Sequence, residues 1–353
     1  MWEHHRVCMA LGLVLSLALT RVAVAAVGER GNGPGVIKAE FLYDKASFPS
    51  CHASTIAESH GTLVAAWFGG SDEGMADVGI WVARRGPEGW SQPVEVADGR
   101  QPDGKRFPCW NPVLVPMPDG RLVLYYKVGA TVPVWWGMRI SSTDGGKSWG
   151  KPERLPEGIL GPIKNKPIFL SDGTLLSPSS TEHQGYQIHL ERSRDGGVTW
   201  TKTASLNDGK REGLIQPTIL THSEGRLQLL CRSEQGWIYE SWSTDQGLTW
   251  SQPQATPLPN PDSGIDAVTL KDGRALLIYN DTAKARSPLN VATSRDGKHW
   301  TPGPILEDQP GEYSYPAVIQ TADGLVHATY TWKRRRIKHV VIDPAQLGEK
   351  PQP

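Results

Sequence analysis

Ser142-Thr-Asp-Gly-Gly-Lys-Ser-Trp149 is the first of four copies of one motif that decides the fold of this chain. The next copies are Ser193-Arg-Asp-Gly-Gly-Val-Thr-Trp200 and Ser243-Thr-Asp-Gln-Gly-Leu-Thr-Trp250, and the last, Ser294-Arg-Asp-Gly-Lys-His-Trp300, is one residue shorter. Successive tryptophans lie about 50 residues apart, and a period of that length made of short strands indicates a propeller or another array.

Each motif predicts a tight turn closed by aromatic packing. Aspartate accepts hydrogen bonds from turn amides, and glycine tolerates the positive φ that such turns need. Tryptophan then packs its ring back on the sheet. Because the copies occupy equivalent outer turns, their aspartates lie too far apart to share one site. We therefore interpret them as structural residues and not as catalytic ones.

The repeat extends upstream of the motif and defines six units. Each unit has a polar residue, usually before a proline, then two apolar runs separated by a turn that contains glycine. The turns are His60-Gly61, Asp119-Gly120, Asp172-Gly173, Glu224-Gly225, Asp272-Gly273 and Asp323-Gly324. A unit of this length holds four strands, so the sequence predicts an all-β, six-bladed β-propeller of four-stranded antiparallel blades over residues 36–345.

The last unit is one strand short. It offers apolar runs at residues 317–319, 325–331 and 337–342, and no fourth run follows. Residues 36–43 alternate apolar and polar side chains, as a half-buried strand does. We expect this N-terminal strand to complete the last blade and to cover its exposed edge.

The N-terminus resembles a secretory signal. His4, His5 and Arg6 precede an apolar stretch, and small residues up to Ala26 are suitable for cleavage. We predict a signal peptide at residues 1–26, a secreted or periplasmic chain and a C-terminal tail at residues 346–353. The apolar stretch is too short for a membrane helix, so no membrane span is expected in the mature chain.

Composition narrows the class of ligand. Lys plus Arg and Asp plus Glu both number 37, so no overall field attracts nucleic acid. The 38 glycines and 28 prolines are typical of a turn-rich β chain. Cys51, Cys109 and Cys231 lack the spacing of metal ligands, and we predict no metal and no cofactor. A Cys51–Cys109 disulfide and buried free thiols both remain open.

Polar side chains open the inner strand of every unit, at the positions His52, Asn111, Lys166, Gln216, Asp266 and Tyr315. Inner strands line the axis of a propeller, so these groups are expected to converge on a binding site; the alternative is a solvated channel mouth. The ends of the second strands and the loops after them add Lys127, Glu182, His183, Arg232 and Arg286. Two guanidinium groups on one face suit a carboxylate.

These motifs and residues resemble the sialidase superfamily, in which the repeated turn is called the Asp box. The resemblance implies three arginines that hold a substrate carboxylate. Arg232, in Leu-Leu-Cys-Arg-Ser, resembles the second of them, and Arg286, before Ser-Pro-Leu-Asn, resembles the third. The family's nucleophile is a tyrosine. Tyr313 and Tyr315, in Glu-Tyr-Ser-Tyr-Pro, are the two candidates here.

The same resemblance implies an acid/base aspartate in the loop after the second strand of the first unit. Asp77 is the best match, with Asp72 and Glu73 as rivals. Two positions depart from the family pattern. Residues 50–54 lack the arginine expected there, and Gln216 replaces the glutamate that accepts the tyrosine proton. A neutral amide cannot act as a general base.

The sequence leaves three functions open, all with an acidic oligosaccharide or polysaccharide as the partner. The leading hypothesis is a secreted glycosidase of exo-α-sialidase type that acts on a sialic or uronic acid. Asp77 would then protonate the leaving oxygen, and Tyr315 or Tyr313 would attack or stabilise the cation. A lyase would use His52 or His183 as the base and tyrosine as the acid. The third hypothesis is a carbohydrate-binding propeller without catalysis.

Two further features complete the predictions. Trp135 and Trp136 follow the second strand of unit two, where they either stack on sugar rings or pack between strands. The basic run at residues 333–336 is most simply a solvated turn of the last blade.

Overall fold

The computed structural model describes residues 1–2 and 33–348. Nearly all of the predicted signal peptide, and residues 349–353 of the predicted tail, lie outside the described residues. Among those that are described, no helix has the length and apolar character needed to cross a bilayer.

The described chain forms six antiparallel sheets, which confirms the six-bladed propeller. Strand β1 (Val36–Phe41) comes first along the chain. Blade one contains β2 (Ser50–Ser59), β3 (Thr62–Gly70), β4 (Gly79–Gly86), β5 (Gly89–Trp90) and β6 (Val94–Ala97). Blade two contains β7 (Cys109–Pro116), β8 (Leu122–Val128), β9 (Trp136–Ser142) and β10 (Glu153–Arg154). Blade three contains β11 (Ile168–Phe169), β12 (Leu175–Thr181), β13 (Gln187–Ser193) and β14 (Thr201–Lys202).

The second half of the ring repeats this pattern. Blade four contains β15 (Leu214–Thr221), β16 (Leu227–Ser233), β17 (Trp237–Ser243) and β18 (Gln254–Pro259). Blade five contains β19 (Asp266–Thr269), β20 (Ala275–Tyr279), β21 (Leu289–Ser294) and β22 (Trp300–Glu307). Blade six contains β23 (Tyr313–Gln320), β24 (Val326–Trp332) and β25 (Arg336–Ile342). Short 3₁₀ helices lie at Val132–Val134, Ser223–Gly225 and Pro344–Gln346.

The N-terminal strand closes the ring as predicted. Strand β1 pairs antiparallel with β25, with Lys38 opposite Val341 and Phe41 opposite Lys338. Glu40 on β1 also lies 3.2 Å from the His339 ring of β25. The first and last strands of the propeller therefore share one sheet.

The Asp-box turns have the structure that the motif predicts. In the third copy, Gly247 N donates to Ser243 Oγ at 2.9 Å, and Ser243 Oγ donates to Asp245 Oδ1 at 2.8 Å. The backbone amides of Leu248 and Thr249 donate to the same carboxylate at 3.1 and 2.9 Å. The hydrogen bond from the Thr249 hydroxyl, with these amides, lowers the pKa of Asp245 to about 2. The prediction of a structural role for these aspartates is confirmed.

The Asp-box turns also join each blade to the one before it. Arg192 of blade three donates to Gln246 O at 2.7 Å, in the turn of blade four. A Cβ atom on Gly247 would lie 2.7 Å from Leu176 of blade three, so the close approach requires glycine. Equivalent bonds join Arg84 to Gly145, Arg139 to Gly197 and Gln228 to Gly297.

The hydrophobic core consists of clusters between neighbouring blades. The largest contains Phe68 and Ile80 of blade one with Leu124 and Tyr126 of blade two. Cys51, Cys109 and Cys231 are buried as free thiols, so the structure has no Cys51–Cys109 disulfide.

The inner strands of four blades contain a bulge near their start. At each bulge one residue has positive φ, namely Ala53 (55°), Asn111 (33°), Gln216 (55°) and Tyr315 (53°). The register of each inner strand shifts at the same place. Ala53, and not His52, is therefore the blade-one equivalent of Asn111. Positive φ is strained for residues other than glycine, and such strain clusters at functional sites.

Candidate functional site

Tyr315 lies at the bulge of β23 and is the centre of the candidate site. Its hydroxyl oxygen accepts hydrogen bonds from Arg232 Nη1 at 2.8 Å and from Gln216 Nε2 at 3.2 Å. The guanidinium carbons of Arg232 and Arg286 lie 5.8 and 5.7 Å from the centre of its ring. Two donors on one phenol oxygen stabilise negative charge there.

Arg232 is held rigidly at the end of β16. Its side chain is buried, and it donates from Nε to Asp262 Oδ1 at 2.8 Å and from Nη2 to the same oxygen at 2.6 Å. The Nη1 atom also reaches Gln216 Oε1 at 3.3 Å. A guanidinium held by a carboxylate on one side and facing a phenol on the other is already oriented for a ligand.

Arg286 is joined to a third arginine through Glu312. Arg286 Nη1 donates to Glu312 Oε1 at 2.8 Å, and Arg334 Nε lies 3.0 Å from both oxygens of the same carboxylate. Arg334 also pairs with Glu73, and its carbonyl accepts from Cys51 N at 2.9 Å. We call Arg232, Arg286 and Arg334 the arginine cluster.

Arg334 corrects the prediction of a solvated basic turn. It lies between β24 and β25 with a φ of 55°, and its guanidinium group reaches Glu312 and Glu73. Its neighbours Lys333 and Arg335 are exposed, as that prediction required. No sequence signal separates one arginine of the run from the others, because the direction of each side chain depends on the turn.

Lys164 lies beneath the tyrosine ring. Its ammonium group is 5.9 Å from the ring centre of Tyr315 and is bonded to Asn165 Oδ1 and Ile265 O at 2.8 Å each, and to Pro316 O. Burial lowers the pKa of Lys164 to about 7, and these three acceptors are those that its ammonium form requires. The sequence pointed instead to Lys166, two residues further on.

His52 stands beside Tyr315 with a ring separation of 4.1 Å. Its Nδ1 lies 2.9 Å from Thr331 Oγ1, whereas its buried Nε2 has no partner among the described residues. Burial, together with the charges of Arg334 and Arg286, holds the pKa of His52 well below its usual range. The imidazole is therefore neutral at the site.

Glu182 directly follows the last residue of β12 and is partly buried. Burial raises the pKa of this carboxyl to about 7, and the nearby charge of Arg232 opposes that rise. The charges of Asp262 and Glu73, which are the carboxylate partners of Arg232 and Arg334, contribute to the rise. A carboxyl of this kind holds or releases a proton near neutral pH. His183, the next residue, is exposed and lines a different cavity.

Asp77 lies in the exposed loop between β3 and β4. Its carboxylate accepts from Ser71 Oγ at 2.7 Å and from Ser71 N at 2.8 Å, and these bonds hold the pKa of Asp77 below its usual range. Glu73 of the same loop reaches Arg334, and Asp72 lies 3.5 Å from Ser50 Oγ. The structure thus brings Glu73, and not Asp77, against the arginine cluster.

Lys166 and Asp266 form a pair of their own. Lys166 Nζ lies 2.9 Å from Asp266, whose carboxylate also accepts from Thr218 Oγ1 at 2.8 Å and Val318 N at 2.9 Å. Lys166 also lines a cavity of about 300 Å³ at the far ends of the inner strands. The structure therefore places this pair away from Tyr315.

Two further candidates are buried. Asn111 occupies the bulge of blade two, at the position that Tyr315 has in blade six. Tyr313 packs in the core between blades five and six, near Tyr330 and Leu276. Burial raises the pKa of the Tyr313 phenol. Within residues 33–348, no three His, Cys, Asp or Glu side chains converge as metal ligands do.

Comparison with known proteins agrees with this architecture. The model of the family described as "BNR repeat-like domain" matches residues 61–328. The chain is 26% identical over 292 residues to a sialidase of Micromonospora viridifaciens, covering 70% of this chain and 43% of that protein. It is 28% identical over 197 residues to a sialidase of Bacteroides fragilis, covering 49% and 35% respectively. The matches thus span less than half the length of these relatives.

A solved structure shows the same fold. The "Hadza microbial sialidase" superposes with a TM-score of 0.71 at 18% identity, over 84% of this chain and 66% of that one.

Proposed function

Because the chain belongs to the BNR repeat-like domain family of the sialidase superfamily, we propose that it is a glycoside hydrolase that cleaves the bond to a carboxylate-bearing sugar, a sialic or uronic acid. The observation that carries the proposal is the convergence of the arginine cluster on Tyr315. Arg232 and Arg286 both face its ring, and Arg286 shares Glu312 with Arg334.

The arginine cluster binds the substrate carboxylate. Guanidinium groups form paired, charge-assisted hydrogen bonds with carboxylates, so three of them on one face select an acidic sugar. In this proposal Arg334 provides the charge that residues 50–54 of blade one lack. Arg334 lies far from residues 50–54 in sequence, but its own carbonyl accepts a hydrogen bond from Cys51 N, so the two segments are adjacent.

Tyr315 acts at the anomeric carbon. Its oxygen forms a bond to that carbon while the bond to the leaving oxygen breaks and the phenol proton passes to solvent water. Water then attacks the same carbon, the bond to the Tyr315 oxygen breaks, and the free sugar leaves. Gln216 cannot take the phenol proton, so Arg232 at 2.8 Å is the group that stabilises the developing phenolate. His52 fixes the ring from the other side.

A carboxyl group must protonate the leaving oxygen. We assign this step to Asp77, as the family resemblance implies, with substrate binding releasing it from Ser71. Glu182 is the alternative, because burial raises its pKa to about 7 and so favours its protonated form at neutral pH. A rate that falls above about pH 7 in the wild type and not in Glu182→Gln would assign the step to Glu182.

Two assays test the proposal. A panel of sialosides and uronides is incubated with the protein, and the release of new reducing ends is measured. Calorimetry then compares each acidic product with its methyl ester, which lacks the charge. We expect the ester to bind more weakly than the acid, by up to about 100-fold. Equal binding of acid and ester refutes the carboxylate site. Binding with no release of any product indicates a non-catalytic carbohydrate-binding propeller.

A uronate lyase is the second candidate, and the free Nε2 of His52 favours it. A neutral imidazole beside an arginine-bound carboxylate suits removal of the adjacent proton, after which the leaving oxygen departs and a C=C bond forms. The unsaturated product absorbs ultraviolet light. Its appearance in the uronide assays would select elimination over hydrolysis.

We propose that the protein acts outside the cytoplasm, in line with the signal peptide predicted at residues 1–26. N-terminal sequencing of the protein recovered from a periplasmic fraction or culture medium tests this. A mature chain that still begins at Met1 would contradict it.

A further inference from the structure

A second cavity lies between blades two and three, beside the candidate site. Its volume is about 550 Å³, within the range of roughly 300–1,000 Å³ that is typical of ligand sites. The residues that matter here are Trp135, Arg154, His183 and Lys202, with Glu157 as the acidic member of the lining. We call this cavity the groove.

The groove adjoins the segment that carries Glu182. Thr181 and His183 line the groove, whereas Glu182 between them feels the charges of Arg232 and Glu73. Because both of its neighbours line the groove, Glu182 lies at the edge of that cavity, just beyond the end of β12. A ligand that extends past Glu182 from the arginine cluster enters the groove.

A chain of aromatic contacts also links Tyr315 to the groove. The ring of His52, which faces Tyr315, lies 5.7 Å from Phe68. Phe68 lies 6.2 Å from Trp110, and Trp110 lies 5.9 Å from Trp135 in the groove. Phe68 and Trp110 are buried, so this chain of ring contacts fixes the position of Trp135 relative to Tyr315.

Trp135 is held in place before any ligand arrives. Its ring meets Trp110 edge to face, and Trp110 Nε1 donates to Gly129 O at 3.0 Å. A Cβ on Gly129 would lie 2.4 Å from the Trp135 Cα, so glycine is required for this approach. A half-exposed indole fixed in this way offers its surface to a sugar ring at a low entropic cost.

The groove also carries positive charge that no described carboxylate neutralises. Among residues 33–348, neither Arg154 nor Lys202 takes part in an ion pair. Arg154 instead lies 5.0 Å from the ring centre of Trp136. Two cations against the single carboxylate of Glu157 favour an anionic ligand.

We propose that the groove binds a second acidic sugar, the one beyond the bond that is cleaved. Trp135 stacks on its ring, and Arg154 with Lys202 pairs with its anionic group. This inference rests on the proposed function and narrows it, because the preferred substrate becomes an acidic oligosaccharide or polysaccharide and not an acidic sugar on a neutral carrier.

Calorimetry on the Tyr315→Phe variant tests the groove without turnover. The probes are an α2,8-linked sialic acid trimer and a galacturonic acid trimer, each compared with its monomer. We expect one trimer to bind at least about 10-fold more tightly than its monomer. Adding Trp135→Ala should remove most of that gain and leave monomer binding unchanged. Adding Arg154→Gln with Lys202→Gln should also weaken trimer binding and flatten its salt dependence.

Two matched control variants replace exposed residues outside the groove. Trp237→Ala removes a 45% exposed tryptophan of blade four, outside the groove, and Lys147→Gln removes an exposed lysine of an Asp-box turn. Neither should change trimer affinity. Because Arg154 and Lys202 are exposed, their replacement does not threaten folding.

The outcomes separate the two proposals. If the monomer binds but the trimer gains nothing, or if the groove variants bind the trimer as the parent does, the groove inference is wrong and the proposed function stands. If neither monomer nor trimer binds, both are wrong.

Discussion

The Asp-box turns and the arginine cluster are both networks of charged groups, yet they are assembled in opposite ways. Asp245 takes all its hydrogen bonds from residues within four positions along the chain. Arg232 instead bonds to Tyr315, 83 residues away, and to Asp262, 30 residues away. Arg334 joins Glu73, 261 residues away in sequence.

This difference distinguishes the charged groups that stabilise the fold from those that we propose take part in binding and catalysis. A local network can be repeated in every blade, because each copy needs only its own turn. A network between blades occurs once, since each blade must supply a different group. Repetition thus indicates a structural role, whereas an unrepeated residue at a repeated position indicates a functional one.

The largest difference in kcat/KM is expected between a variant of the Tyr315 phenol at the axis and a variant of an Asp-box turn. Tyr315→Phe should lower kcat/KM by about 1,000-fold, because the oxygen that Arg232 and Gln216 contact is lost. Asp245→Asn in an outer turn should leave kcat/KM unchanged. Both are measured with the best substrate from the glycan panel. A comparable loss in Tyr313→Phe would contradict the choice of Tyr315, since Tyr313 lies in the core.

Two neighbouring arginines give the next contrast. Arg334→Gln should weaken binding of the acidic product about 10- to 100-fold, because a charge-assisted contact with the carboxylate is removed. Arg335→Gln alters the exposed residue beside it and should have no effect. Calorimetry with the acidic product measures both. Equal affinities for the two variants would show that Arg334 does not take part in binding.

The contributions of Glu182 and Asp245 to the free energy of unfolding should change with pH in opposite directions. Burial raises the pKa of Glu182 from 4.5 to about 7, so the folded state keeps a proton that the unfolded state releases in this range. The free energy of unfolding therefore falls between about pH 4.5 and pH 7, by about 3 kcal/mol at most. Glu182→Gln should remove this fall. Urea unfolding at pH 4 and pH 8 measures it, and an unchanged pH dependence would be contrary to the account.

Asp245 provides the opposite case. Its pKa is lowered from 3.8 to about 2, so its stabilising contribution is present above about pH 4 and is lost as the pH falls toward 2. At neutral pH, Asp245→Asn should lower the Tm by about 2–4 °C through the loss of turn hydrogen bonds. Differential scanning calorimetry measures this smallest effect. A variant with a wild-type Tm would show that the turn is not held by its carboxylate.

The architecture was predictable because its determinants are local. The Asp boxes, the Gly-containing turns and the alternation in residues 36–43 each report on a few neighbouring residues. The structure confirms the six blades and the pairing of β1 with β25.

The site was only partly predictable, because its geometry depends on small irregularities. Blade three has an inner strand of only two residues, so Lys164 lies under Tyr315 whereas Lys166 pairs with Asp266. In blade one the residue with positive φ at the bulge is Ala53, so His52 lies one residue before the position that Tyr315 has in blade six. Arg334 was missed because a hairpin turn, and not a strand pattern, sets its direction.

A crystal structure with a bound acidic sugar product tests the central claim most directly. The account predicts that its carboxylate oxygens lie within hydrogen-bond distance of Arg232, Arg286 and Arg334, with the anomeric carbon facing the Tyr315 oxygen. A sugar whose carboxylate points away from these guanidinium groups, or one bound beside Lys166 at the far end of the inner strands, would contradict it.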